Sequence, residues 1–326
     1  MLHKRNRGTW RWRFAWLKKM FRDSFKYYKS RTSAPDLSDV IDLENPNYVR
    51  VRRIAARVTT DTEQIDTFGL KPIAKWKIYE LLDIPGLIFI QNPFTSAGQR
   101  YWITKCLKDY SKEPYKLNID AHNILDNEAW WDVCFQTSER GRALLPKLRW
   151  ATLGYHHNWD TKLYSENSKS DMPPELCDLT SVLAKALDFQ DFRAEAAIVN
   201  YYRMNSTLAG HTDHSEANAM APLFSISFGQ TAIFLIGGLK HEDSANALFL
   251  RSGDVVIMSG SSRLRYHGVP KILPASKTPW DDNEPDSHES SMYNLEDWRK
   301  ARDYIAEARI NMNVRQVLEP GQIVLY

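Results

Sequence analysis

The 326-residue chain is 43% apolar and 25% charged, a globular balance that excludes wholesale disorder. Its longest apolar runs, such as 232–238, have strand length, which excludes a transmembrane helix. The net charge is +3, but residues 1–31 hold 11 of the 43 basic residues against one acid, Asp23, so a basic coat over the remaining body, with 32 basic and 39 acidic residues, is excluded too.

The first 30 residues carry an amphipathic stripe of Trp10, Phe14, Leu17, Phe21, Phe25 and Tyr28, with Arg11, Lys18, Arg22, Lys26 and Lys29 on another face. This basic helix reads either as an import signal or as a surface helix packing Phe21 and Phe25 on the core. Residues 30–70 are polar, are interrupted by Pro35 and Pro46, and read as linker. A helix is expected at 76–82, a buried strand at 86–91, a helix at 98–110 and a strand at 148–154. An aromatic loop follows at 155–164, then a helix at 174–187. From residue 194 the texture becomes short apolar strands: 194–202, 223–228, 231–236, 247–250, 254–259 and 308–317, with glycines at the turns. Residues 270–294 read as an exposed insertion, followed by a helix with Leu295, Trp298, Ala301 and Ile305 on one stripe. The expected class is α+β: a β sandwich or barrel behind a helical first half. Cys106, Cys134 and Cys177 match neither a zinc site nor a disulfide framework, and suggest a reducing compartment.

His211-Thr212-Asp213 is the sharpest local signal. In extended chain, residues two apart point the same way, so imidazole and carboxylate converge. With a distant His, this is the facial triad that holds Fe(II) and leaves positions open. The third ligand could be His214, His241, His267 or His288; His267, beyond the 254–259 strand, is best placed. In Arg309-Ile310-Asn311-Met312-Asn313-Val314-Arg315, polar and apolar residues alternate, so two arginines share one strand face. Arginines pointing into a barrel are costly unless they meet an anion, and a dicarboxylate suits the guanidinium fork. Asn200 and Tyr202 share a face on an earlier strand.

Taken in order, Asn200-x-Tyr202, His211-x-Asp213, His267 and Arg309-x-Asn311-x-Asn313-x-Arg315 resemble the AlkB family of Fe(II)/2-oxoglutarate dioxygenases, and within it the AlkB homologue 1 branch. GLIFIQNPF, LRWATLGYHHNWD, SFGQTAIFLIGG and SGDVVIMSGSSRL carry the same resemblance, from about Phe21 to Leu318. It implies a double-stranded β-helix (jelly roll) core with flanking helices and an N-terminal helical extension. It implies iron on His211, Asp213 and His267, and 2-oxoglutarate held at its far carboxylate by Arg309, with Asn200, Tyr202, Asn311 and Arg315 completing the pocket. Tyr155, Trp159 and Tyr164 fall where the family places a lid over the substrate nucleotide. His157 and His214 depart from the family pattern, which has Tyr and Arg there.

The expected layout is a basic targeting or contact arm at 1–19, a helix and linker segment at 20–85, a nucleotide-recognition lid with flanking helices at 86–189, and a dioxygenase core at 190–318 with the 270–294 insertion. The implied activity is oxidative demethylation of N-methylated bases in tRNA or DNA, using Fe(II), 2-oxoglutarate and O2 and favouring an unpaired or bulged base. A monomer working on nucleic acid, with no membrane, in mitochondrion or nucleus is the corresponding expectation. Three rivals stand beside it: an iron enzyme acting on protein as hydroxylase or histone demethylase, a metal-free nucleic-acid-binding module, and a metal-independent abasic-site lyase.

Overall fold

The computed structural model describes residues 20–57, 64–281 and 292–325. Among these residues thirteen strands form two antiparallel sheets. In chain order they are β1 (Val51–Ile54), β2 (Lys77–Leu81), β3 (Leu87–Gln91), β4 (Lys116–Leu117), β5 (Trp150–Gly154), β6 (Ala196–Arg203), β7 (Leu208–His211), β8 (Leu223–Gly229), β9 (Thr231–Ile236), β10 (Asn246–Leu250), β11 (Val255–Met258), β12 (His267–Leu273) and β13 (Ala308–Arg315). The larger sheet has the order β1-β2-β3-β11-β8-β13-β6-β5-β4, and the smaller β10-β9-β12-β7. Strands β6 to β13 make the jelly roll, and the first five strands widen its larger sheet. The longer helices are α1 (Phe21–Lys29), α2 (Ser96–Lys108), α3 (Pro174–Ala186) and α4 (Leu295–Ile305). Among the described residues no helix is long and apolar enough to cross a membrane.

Two cores follow from period-two alternation in the larger sheet. Ile310, Met312 and Val314 of β13, with Val199 and Tyr201 of β6, pack into the layer that holds Trp102, Leu107, Leu183 and Trp298 of the helices. The opposite face meets the smaller sheet, where Tyr202, Leu223 and Met258 pack with Phe234, Leu250 and Val269. The same parity turns Arg309 and Asn311 away from the helices and into the space between the sheets.

Several expectations change. The helix expected at 76–82 is strand β2, because Ile78 joins the helix-side core while Tyr79 and Leu81 join the inter-sheet core. The 30–70 linker contains β1, whose Val51 pairs with Leu81, and buries Val40, Ile41 and Leu43. Strands β7 and β12 were not expected. The first has only four residues and the second contains Gly268 and Pro270, which read as turn. Pairing between β12 and β9 jumps from Gly268↔Leu235 to Lys271↔Ile233, so Pro270, which has no N–H to give, sits in the irregularity. The 270–294 segment therefore begins inside the sheet, and Trp280, 1% exposed, accepts at its carbonyl from Arg100 Nε at 2.6 Å. The stretch 282–291, which includes His288, lies outside the described residues.

The arm at 1–19 also lies outside them, with Trp10, Phe14 and Leu17 of the stripe. The lower half of that stripe docks as the surface-helix reading required. Phe21 is 2% exposed, stacks on Phe25 and meets Tyr266 edge-on with centroids 5.1 Å apart. Gly210 of β7 lies beneath it: a Cβ there would stand 2.4 Å from Phe21 Cε1, so only glycine lets the helix settle. Helix α1 thus buttresses the strand that ends in His211. Phe21→Ala is expected to cost about 3–5 kcal/mol of unfolding free energy, the usual range for a deleted buried aromatic. A lowered urea midpoint at unchanged slope would register it.

Candidate metal centre and its two cavities

His211 closes β7 and His267 opens β12, and the two are cross-strand partners. Their rings stand 4.4 Å apart. Asp213, two residues beyond His211, turns back between them: its Oδ1 lies 3.7 Å from His211 Nε2 and its Oδ2 lies 3.5 Å from His267 Nε2. The three offer ligand atoms within 4.8 Å of one another. Each imidazole donates its Nδ1–H to a backbone carbonyl, His211 to Ala209 at 3.0 Å and His267 to Arg265 at 2.9 Å. That arrangement sets the tautomer and frees both Nε2 lone pairs toward Asp213. Burial, then the neighbouring His267, lowers the His211 pKa to about 4, so the ring is neutral. Burial would raise the Asp213 carboxyl, but Arg315 and then the two histidines hold it well below the usual range. Two imidazoles with their Nε2 atoms turned toward a carboxylate on one side of a point fit a divalent iron with open positions.

Of the other histidines considered as third ligand, His241 is exposed and meets Glu242, and His214 is exposed with Nδ1 against Thr212.

The triad stands at the neck between two cavities, and His211 borders both. The inner one, a narrow cavity of about 30 Å³, is lined by Tyr202, Leu223, Arg309, Asn311 and Asn313 beside the apolar inter-sheet core. At its floor Arg309 is 1% exposed. It donates from Nη1 to the carbonyls of Gln230 and Leu250, both at 3.1 Å, and from Nη2 to Ser227 Oγ at 2.7 Å. Its Nε is buried without a partner, and among the described residues no carboxylate lies within ion-pair distance. Burial lowers its pKa to about 10, which leaves it charged at neutral pH. A buried guanidinium with an idle donor and no counter-ion fits an anionic ligand such as a dicarboxylate. Tyr202 is its cross-strand partner, with a phenol that burial pushes up to about 12 and so stays protonated as a donor. Asn311 is fastened by donating to Ser225 Oγ and the Ile226 carbonyl.

The outer cavity, about 470 Å³ and open to solvent, is lined by His157, Trp159, Lys162, Tyr164, Asn200 and Arg315. Asn200 and Arg315 therefore stand on the mouth side of the triad, apart from the inner pocket expected for them. The strand axis explains this: Arg315 lies six steps along β13 from Arg309, roughly 20 Å at about 3.3 Å per step.

The aromatic loop divides in three. Trp159 is 39% exposed, tilts against Trp150 and has Lys162 Nζ 5.7 Å above its ring. Tyr164 lines the cavity, but its hydroxyl donates to Glu216 Oε1 at 3.0 Å. Tyr155 is not brought to the cavity: it is 6% exposed, packs with Ala196, Val317 and Leu318, and donates to Glu166 at 2.6 Å. Its ring fills a small core behind the loop, so it cannot meet a ligand from its expected position.

Glu216 and Arg263 were missed by sequence reasoning, although Glu216 follows Asp213 by three residues. A lone acid in a polar loop and a lone Arg in a Ser-rich turn give no signal until the fold buries both. His157 faces the outer cavity, with Nε2 3.0 Å from Ser215 Oγ and its ring 4.7 Å from Trp159.

Comparison with known proteins agrees with this geometry. Residues 86–315 match the family model of the 2OG-Fe(II) oxygenase superfamily. The chain is 41% identical to the nucleic acid dioxygenase ALKBH1 of Mus musculus, over 93% of this chain and 85% of that protein. It is 33% identical to the tRNA demethylase abh1 of Schizosaccharomyces pombe, over 91% of this chain and 95% of that protein. It is 30% identical to the DNA N(6)-methyladenine demethylase ALKBH1A of Arabidopsis thaliana, over 86% and 87%. The chain belongs to the 2OG-Fe(II) oxygenase superfamily and, within it, to the ALKBH1 family, and is an Fe(II)- and 2-oxoglutarate-dependent dioxygenase.

Proposed function

We propose that this dioxygenase oxidatively demethylates N-methylated bases in nucleic acid, with tRNA or DNA as substrate and the protein acting as a monomer. The observation that carries the reading is Arg309: a buried cation with no carboxylate within ion-pair distance among the described residues, at the floor of the inner cavity whose neck is a His-Asp-His triad. Iron, 2-oxoglutarate and O2 together supply an oxidation that puts one oxygen atom on the N-methyl carbon and the other into succinate, with loss of CO2 and then of formaldehyde from the base. The chain's own residues arrange the rest. His211, Asp213 and His267 hold the iron. Arg309 grips the far carboxylate of 2-oxoglutarate, with Tyr202 and Asn311 beside it. The apolar wall of Leu223, Phe234, Leu250 and Met258 excludes water around that carboxylate and so strengthens the pairing.

The methylated base enters from the outer cavity, where Trp159 offers the exposed stacking face and Lys162 the phosphate-seeking charge. Beyond residue 31 acids outnumber bases, so the body lacks the field to pull a long duplex open, and a base already unstacked is the favoured substrate. In this reading residues 1–19 serve as a targeting or polyanion-contact arm, for mitochondrion or nucleus.

Each assignment has a measurement. His211→Ala should abolish formaldehyde release while leaving the melting curve near that of the parent, because an open metal site does not hold the core together. Asp213→Ala should abolish it too and also lower the melting temperature, because buried Arg315 loses one of its two carboxylates. Arg309→Ala should weaken 2-oxoglutarate binding by about 2–5 kcal/mol, and Arg309→Lys, which keeps charge without the fork, should also be impaired. Anaerobic titration with 2-oxoglutarate reads this directly, and unchanged affinity would remove Arg309 from the pocket. Trp159→Ala should cost about 1–3 kcal/mol of oligonucleotide affinity through lost stacking. Methylated bulged and single-stranded oligonucleotides should turn over faster than perfect duplex; equal rates would refute the unstacked-base preference.

A further inference from the structure

Directly behind the triad lies a buried charged network with Glu216 at its hub. Glu216 Oε2 accepts from Arg263 Nη2 at 2.9 Å. Its Oε1 accepts from the Tyr164 hydroxyl at 3.0 Å and faces Arg315 Nε at 3.3 Å. Arg315 then reaches forward, with Nη2 3.1 Å from Asp213 Oδ1. Arg263 closes the circuit by donating from Nη1 to the Asp213 carbonyl at 2.7 Å and from Nε to that of Ala221 at 2.9 Å. The side chains of Glu216, Arg263 and Arg315 are 3%, 2% and 4% exposed, so water screens none of these charges. Two guanidinium groups face two carboxylates, and the network is neutral before any metal arrives.

That balance matters because one of the two carboxylates is the triad's own. Arg315 and a metal cation approach the same carboxylate of Asp213. Glu216 is the second anion that Arg315 can lean on, and it also neutralises Arg263. Without its charge, two buried cations would bear on Asp213 alone, in a site that must accept a third. We propose that Glu216 is a positioning residue of this dioxygenase: by holding Arg315 and Arg263, and through Tyr164 the substrate loop, it leaves the Asp213 carboxylate free and negative enough to bind a divalent cation. The inference rests on reading His211, Asp213 and His267 as the iron site.

The test uses the full chain and Co(II) alone, followed by its visible absorption, without 2-oxoglutarate or nucleic acid. Glu216→Gln keeps the side-chain shape and deletes the charge, and should weaken Co(II) binding by about tenfold or more, as expected for a lost anion in a poorly screened site. Adding Arg263→Met removes the cation left unbalanced. The double variant should melt higher than Glu216→Gln alone and recover Co(II) affinity to within about threefold of the parent. The double variant carries the test even where Glu216→Gln does not fold. Unchanged affinity in Glu216→Gln would overturn the proposal, and so would a double variant as weak as the single, since packing rather than charge would then be the cause. A parent protein that binds no Co(II) would refute the iron reading itself, which separates the two failures.

Discussion

Two guanidinium groups stand inside the barrel on one strand, and the architecture of the site follows from how each is satisfied. Burying an arginine removes its hydration, and the loss must be offset by hydrogen bonds or by an anion. Arg315 has its anions in place, Asp213 and Glu216. Arg309 has carbonyls and a hydroxyl but, among the described residues, no carboxylate within ion-pair distance. The first is therefore held by its own chain, and the second is, in the reading proposed above, the socket for a dicarboxylate. His211 stands between the two, on the wall of both the inner and the outer cavity.

Much of this was legible in the sequence because it depends on parity. A period-two alternation over Arg309–Arg315 can be satisfied only by a strand with one polar and one apolar face. His-x-Asp converges for the same reason. The apolar partners Ile310, Met312 and Val314 state which face meets the helices, and the structure packs them there. Register does the remaining work: a slip of one residue between β13 and β6 would send both arginines into the helix-side core. The helices at 98–110, 174–187 and from Leu295 were equally readable, since each shows its own apolar stripe.

What was hidden has physical causes. Strand β2 is five residues long, too short to separate a helical from an extended period, and only pairing with β1 and β3 decides it. Strand β12 carries His267 on a segment that Gly268 and Pro270 mark as turn, and the neighbouring strands override that local preference by absorbing the proline in a register shift. The charged hub was hidden because its members come from four separate parts of the chain: Tyr164, Asp213 and Glu216, Arg263, and Arg315. Pairing between them exists only after the sheets have closed.

The aromatic loop shows how far a run of similar residues can differ in role once burial is known. Tyr155, Trp159 and Tyr164 look alike in sequence as ring-bearing residues beside a strand. Tyr155 ends with its ring in a small core and its hydroxyl on Glu166, so it anchors the loop. Tyr164 spends its hydroxyl on Glu216, so moving it would disturb the ion network behind Asp213. Trp159 alone keeps a large ring face in water, supported by Trp150 beneath and flanked by Lys162. Leaving that much apolar surface exposed on a loop whose turn is held by Asn158 forgoes burial that a free loop could recover by folding its tryptophan inward. Tyr155 and Tyr164 thus fasten the loop to the body through Glu166 and Glu216, while Trp159 is left as its exposed ring on the rim of the outer cavity.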